Sequence, residues 1–170
     1  SKSKIPSVLT MIGSTATGQR VIADSATSIK KLSMELGGNA PFVVFEDAAI
    51  DKTLDLAIGI KFGNSGQICV AANRFFVHKS LYNSFLEKYV ERVKSLTLGF
   101  GIDQKPDMGP MVTRNDRDRM FDLINDAKEK GGVLLVGGEI PKGMEDGNWM
   151  MPTVISCLLY TSDAADDWSS

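Results

Sequence analysis

The chain has 170 residues, 43% of them hydrophobic and 24% charged, with a formal net charge of −2. That length holds one compact domain or two small ones, and the balance is that of a globular protein rather than a disordered or fibrous one. The near-neutral charge gives no reason to expect nucleic acid or an anionic membrane as a partner, and no apolar run approaches the roughly 20 residues of a membrane span.

Only two cysteines are present, Cys69 and Cys157, which argues against a disulfide framework and for a reducing, cytoplasmic setting. No metal is expected. The chain starts at Ser1 rather than Met, so an internal piece of a longer protein is anticipated.

Taken in chain order, "SVLTMIG" (7–13), "KKLSMELGG" (30–38) and "PFVVFE" (41–46) have the β-branched and aromatic content of short buried strands, and "GQRVIADSA" (18–26) reads as a helix between the first two. That is the βαβ order of a parallel sheet. "DAAIDKTLDLAIGIKF" (47–62) then puts Ile50, Leu54, Ala57, Ile58 and Lys61 on related helical faces, with Asp47 or Asp51 near the start to complement the helix dipole. "NRFFVHKS" (73–80) reads as a strand, "LYNSFLEKYVERVKSL" (81–96) as an amphipathic helix, "RNDRDRMFDLINDAKEKGG" (114–132) as another ended by glycines, and "VLLVGG" (133–138) as a strand. The class is therefore α/β. The last fourteen residues, "CLLYTSDAADDWSS" (157–170), carry neither period and are expected to be an unstructured read-through artefact.

Three stretches have residues suited to chemistry. In "TMIGSTATGQRV" a strand runs into Gly13 and Ser14, with Gly18 five residues after Gly13. Glycines allow close backbone approach, and free amides at a helix start can hold a phosphate. By itself this is equally a tight strand-to-helix turn, since it is not the GxGxxG fingerprint. In "SMELGGNAPF", Glu35 stands at a strand end between Met34 and Leu36, where partial desolvation would suit a general base; glutamates before turns are also commonly solvated. In "FGNSGQICVAANR", the small residues Ser65, Gly66, Ala71 and Ala72 would leave room for a carbonyl at the Cys69 thiol, though a lone cysteine is often only a small buried residue. The single histidine, His78, lies in a strand-like run and is expected to serve structure, which disfavours a Cys–His pair.

The combination is more specific than its parts. "GSTATG", "MELGGNAPF", "NSGQICVAANR", "MGPMV", the paired glycines at 137 and 138, and "MPTVI", in that order and with Glu35 and Cys69 separated by 34 positions, resemble the aldehyde dehydrogenase superfamily from about Pro6 to Ile155. The flanking text is most similar to the succinate-semialdehyde dehydrogenase branch.

The resemblance implies a fragment of the aldehyde dehydrogenase fold. Residues 1–37 would be the end of a Rossmann-like NAD(P)-binding domain and residues 38–156 the first part of the α/β catalytic domain. It implies Cys69 as nucleophile and Glu35 as the base that activates water for thioester hydrolysis, with one oxyanion hydrogen bond from the Cys69 N–H; its usual asparagine partner would lie upstream of Ser1. Gly13, Ser14 and Gly18 match the turn that meets the pyrophosphate of NAD or NADP, and Leu36 and Gly37 match positions beside the nicotinamide. The coenzyme A-acylating branch lacks the glutamate, so the free acid is the implied product. The partners implied are a small aldehyde and further copies of the parent chain.

Two departures carry information. The branch usually has an arginine six residues before the cysteine to pair with the substrate's distal carboxylate, and this chain has Gly63 there. A smaller or neutral aldehyde of the lactaldehyde kind is therefore expected beside succinate semialdehyde as a candidate. The branch often has a second cysteine two residues after the nucleophile; Ala71 stands there, so no redox-switch disulfide is expected in this loop. The rival readings are a cofactor-independent cysteine hydrolase using Glu35 and Cys69, a binding module with an inert Cys69, and a piece inactive by itself.

Overall fold

The computed structural model describes residues 1–102 and 105–156, so the expectation for the last fourteen residues lies outside the described part. Strand β1 (Val8–Ile12), helix α1 (Thr15–Ser25) and strand β2 (Lys31–Glu35) form the first unit. The strands pair in parallel from Val8 opposite Lys31 to Ile12 opposite Glu35, as the βαβ order requires. Helix α1 starts three residues earlier than its apolar period suggests because Ser14 caps it: Ser14 is extended and its Oγ accepts from the Thr17 N–H at 3.2 Å.

A second unit repeats the order with strand β3 (Ala40–Val44), helix α2 (Ile50–Phe62) and strand β4 (Ala72–Val77), again with a parallel pair. Helix α2 begins later than Asp47, at Ile50, with Asp51 in its first turn. Helices α3 (Tyr82–Lys94) and α4 (Arg114–Glu129) follow, and Thr113 caps α4 by accepting from the Asp116 N–H at 3.1 Å. Strand β5 (Val133–Val136) pairs antiparallel with a strand not foreseen in the sequence, β6 (Val154–Ser156), which is too short to show a period.

The core sits against the second unit. Val44, Leu54, Ala57, Phe62, Phe85, Tyr89, Val93, Met108 and Val154 form one buried cluster, and Leu54 and Val93 are fully enclosed. Aromatic rings link the layers: Phe42 to Phe75 at 5.2 Å between centroids, Phe75 to Tyr89 at 5.3 Å, and Phe85 to Tyr89 at 5.7 Å. Burial there holds the Tyr89 phenol well above its ordinary ionisation range.

The buried character expected for the first strands is not observed. β2 exposes Lys31, Leu32, Ser33 and Glu35, and β1 alternates between exposed and half-buried. A strand is buried only when layers cover both sheet faces. Among the described residues this pair has one helix and no further strand beside it.

Candidate active site

The chain passes directly from the C-terminal end of β2 to the N-terminal end of β3, through Leu36, Gly37, Gly38 and Asn39. This junction is where the sequence-derived candidates meet. On one side, the Gly13 N–H donates to the Glu35 carbonyl at 3.0 Å, so the phosphate-type turn and the glutamate are neighbours. On the other, Gly38 faces the cysteine loop: a Cβ on Gly38 would come within 2.8 Å of the Cys69 carbonyl oxygen. A residue other than glycine would push the two turns apart.

Cys69 lies in a turn between α2 and β4 and is exposed. Among the described residues its backbone N–H donates to no protein acceptor. The loop before it is built on unusual backbone: Asn64, Ser65 and Gly66 all have positive φ, at 50°, 56° and 73°. Such a run is costly for Asn and Ser and persists only where its surroundings hold it. Here Asn64 and Gln67 exchange side-chain contacts with each other's carbonyls, at 3.2 and 3.3 Å.

The same loop is tied to the "MGPMV" segment. Ser65 Oγ donates to the Gly109 carbonyl at 2.8 Å, and the Val112 N–H donates to Gln67 Oε1 at 2.8 Å. Two other motifs also meet each other. The Gly138 N–H donates to Thr153 Oγ1 at 2.9 Å, and a Cβ on Gly137 would collide with the Pro152 carbonyl. Motifs far apart in sequence are thus supports for one loop and one hairpin.

Several roles differ from the sequence reading. Ala71 and Ala72 are buried, so they pack beneath the loop rather than line a space at the thiol. Glu35 is exposed, so the partial desolvation expected from Met34 and Leu36 is not present among the described residues; a carboxylate at the edge of a two-stranded sheet has water on its open side. Gly18 is buried against Leu36, and a Cβ there would meet the flexible end of that side chain, Cδ2, at 2.8 Å. His78 is exposed just after β4, with Nδ1 2.8 Å from Ser80 Oγ and Nε2 3.9 Å from Glu46, away from the cysteine loop in its contacts.

Three residues that the sequence reading did not weigh as site residues hold the junction. Arg74 donates from Nε and Nη2 to the Asn39 carbonyl, at 3.2 and 2.9 Å. Asn73 Nδ2 lies 3.4 Å from the Gly38 carbonyl, and Lys61 Nζ lies 2.9 Å from Asn73 Oδ1. Burial lowers the Lys61 ammonium from its ordinary range. The "NR" after the cysteine loop was the available signal, but neither residue type is tied to a junction by spacing alone.

The residues present fit a dinucleotide phosphate. The first amides of a helix have no intrahelical acceptor, and the Ser14 side chain takes only that of Thr17 at the α1 start. Beside this turn, a Cβ on Gly13 would meet the terminal methyl of Met11, Cε, at 2.8 Å.

The model of the aldehyde dehydrogenase family matches residues 2–166. Succinate-semialdehyde dehydrogenase [NADP(+)] 1 of Schizosaccharomyces pombe is 42% identical over 143 residues, 84% of this chain and 28% of that protein. D-glyceraldehyde dehydrogenase (NADP(+)) of Thermoplasma acidophilum is 39% identical over 152 residues, 87% of this chain and 30% of that protein. The crystal structure of succinate-semialdehyde dehydrogenase from Burkholderia pseudomallei superposes with a TM-score of 0.90 at 38% identity, over 96% of this chain and 34% of that one. The chain spans about a third of the length of the relatives it matches. Matched over nearly its whole length by the family model and at 39% to 42% identity by two of these relatives, the chain belongs to the aldehyde dehydrogenase family.

Proposed function

We propose that this chain carries the nucleophile and the general base of an NAD(P)-dependent aldehyde dehydrogenase. The observation that carries the reading is the contact of Gly38 with the Cys69 carbonyl, which brings the Glu35 turn to the cysteine loop. The Cys69 thiolate attacks the aldehyde carbonyl to give a thiohemiacetal, with its own N–H donating to the oxyanion. A nicotinamide cofactor, when bound, would supply the hydride acceptor. Once the hydride has left, Cys69 holds a thioester, and Glu35 takes a proton from the water that hydrolyses it, releasing the carboxylic acid and the thiolate.

The start of α1, with Gly13 and Ser14, would hold the cofactor pyrophosphate, and Leu36 and Gly37 would lie beside the nicotinamide; Gly18 lets Leu36 seat against α1. Both relatives above are named for NADP(+), and NAD remains the alternative. The same reading divides the chain near residue 37, between a cofactor-binding part and a catalytic part. The core cluster supports that division, because none of its buried members precedes Val44.

In the complete protein, Cys69→Ser is expected to lower aldehyde-dependent NAD(P)H formation by about a thousandfold or more, and Glu35→Gln to lower steady-state turnover about a hundredfold while sparing the first turnover. Wild-type turnover in Cys69→Ser, or ester hydrolysis without aldehyde oxidation, would sink the reading.

The substrate follows from Gly63. Its φ is −52°, and a Cβ there would meet only Ile68 Cδ1, at 3.9 Å. The fold therefore does not demand glycine, and the missing cation reflects the substrate. The substrate is a small neutral aldehyde such as a hydroxyaldehyde, in keeping with the similarity to a D-glyceraldehyde dehydrogenase. Gly63→Arg should raise kcat/KM for succinate semialdehyde about tenfold or more relative to lactaldehyde. A wild-type preference for succinate semialdehyde would refute this choice.

A further inference from the structure

Glu35 and Cys69 lie on different turns, and the hydrolysis step proposed above needs both at once. Something must hold the turns in register. The Gly13 N–H fixes the Glu35 carbonyl from one side at 3.0 Å. From the other side, the carbonyls of Gly38 and Asn39 are both taken by the opening residues of β4, Asn73 and Arg74, four and five positions after Cys69. Arg74 can only donate, so its fork on Asn39 has one possible sense. Asn73 could face either way, because its side-chain oxygen and nitrogen are nearly the same shape.

We propose that Lys61 is a positioning residue which sets the direction of the Asn73 amide, and through it the placement of the Glu35 turn over Cys69. An ammonium has three donors and no acceptor. With Lys61 Nζ 2.9 Å from Asn73 Oδ1, the oxygen must point to the lysine, and the NH2 is left toward the Gly38 carbonyl at 3.4 Å. The flipped amide would set donor against ammonium and oxygen against carbonyl. Among the described residues Lys61 pairs with no carboxylate. It is also half-buried, in the last turn of α2 and close to the loop it serves: a Cβ on Gly66 would lie 3.0 Å from the Lys61 carbonyl. A partly desolvated cation aimed at an amide oxygen, rather than at an acid, is costly unless that orientation is useful.

The inference rests on the proposed roles of Cys69 and Glu35, and it predicts which step suffers. Attack by Cys69 needs the cysteine loop, and departure of the hydride needs the nicotinamide seated beside it; only hydrolysis needs the Glu35 carboxylate itself held over the thioester. In the complete protein, Lys61→Met and Asn73→Asp are expected to lower steady-state kcat about tenfold or more. KM for the aldehyde and the rate of NAD(P)H formation in the first turnover should stay within about threefold. Asn73→Asp keeps the shape and the contact with Lys61 but puts oxygen against the Gly38 carbonyl. Lys61→Arg, which also only donates, should restore kcat to within about threefold of wild type. Should Lys61→Met fail to fold, the near-isosteric Asn73→Asp carries the same expectation. Wild-type kcat in Asn73→Asp, an equal loss in first turnover and steady state, or no rescue by arginine would overturn the proposal. Cys69→Ser and Glu35→Gln, run alongside, separate two kinds of failure. If they retain wild-type oxidation, the reading of the site is wrong. If they lose it while the Lys61 and Asn73 variants do not, only the positioning role is wrong.

Discussion

The two βαβ units share an order and a parallel pairing, yet they differ in what they bury. In the first, β1–α1–β2, the buried residues of the helix are Gly18 and Ser25, and Val8, Ile12, Ile22 and Leu32 are all exposed. In the second, β3–α2–β4, the helix buries Leu54, Ala57 and Phe62, and α3 adds Phe85, Tyr89 and Val93 over the same core. Element order specifies pairing because it sets which backbone groups can meet. Burial depends on how many layers are stacked, and the first unit has only α1 over its sheet among the described residues. The site lies where the thin unit hands the chain to the thick one. The thin side presents Glu35 and the start of α1, and the thick side anchors the cysteine loop.

That contrast can be broken most directly in the cores. Leu54→Ala, at a fully enclosed position, should cost about 2–5 kcal/mol in urea unfolding, whereas Leu32→Ala, 41% exposed, should cost about 1 kcal/mol or less. Equal losses would mean that the first unit is as well covered as the second.

The glycines at the two flanks sharpen it further. Gly38→Ala would drive a Cβ to within 2.8 Å of a backbone carbonyl, so the cysteine loop must move; a loss of about 1–3 kcal/mol and a fall in turnover are expected. Gly18→Ala meets the far end of the flexible Leu36 side chain at the same 2.8 Å and gains helix propensity of up to about 1 kcal/mol. Its effect on stability should be small, read as a shift of a few degrees or less in Tm.

The smallest effect is electrostatic. Arg92 on α3 reaches Asp51 and Asp55 on α2, and Lys88 reaches Asp51 at 3.2 Å, whereas the ion pair on α1 among the described residues joins Asp24 to Lys2 at 3.8 Å. The α2 carboxylates are largely exposed, so Arg92→Ala should cost about 0–1 kcal/mol and the difference should vanish in molar salt. A salt-independent loss would point to packing of the arginine stem instead.

The sequence by itself determined the α/β class, the parallel pairing of β1 with β2, the placement of α2, α3 and α4, and the turns that end them. Those features rest on apolar period and glycines, which act within a few residues. Hence the glycines at 131 and 132 could be read as the end of α4, whereas the caps Ser14 and Thr113 appeared only in the structure. The order of "ELGG" and "NSGQIC", through the family resemblance, raised the expectation that Glu35 and Cys69 act together. Only the tertiary structure decided what touches what: that Gly38 abuts Cys69, that Ser65 and Gln67 lean on 109 and 112, that Gly18 seats Leu36, and that Lys61 and Asn73 hold the Glu35 turn. These contacts join residues 12 to 45 positions apart. They depend on how whole elements stack, and stacking is set by the summed packing of the core rather than by any local pattern. Exposure follows the same rule. Met34 and Leu36 promised cover for Glu35, but neighbours in a strand point to the opposite sheet face, and only another layer could have enclosed the carboxylate.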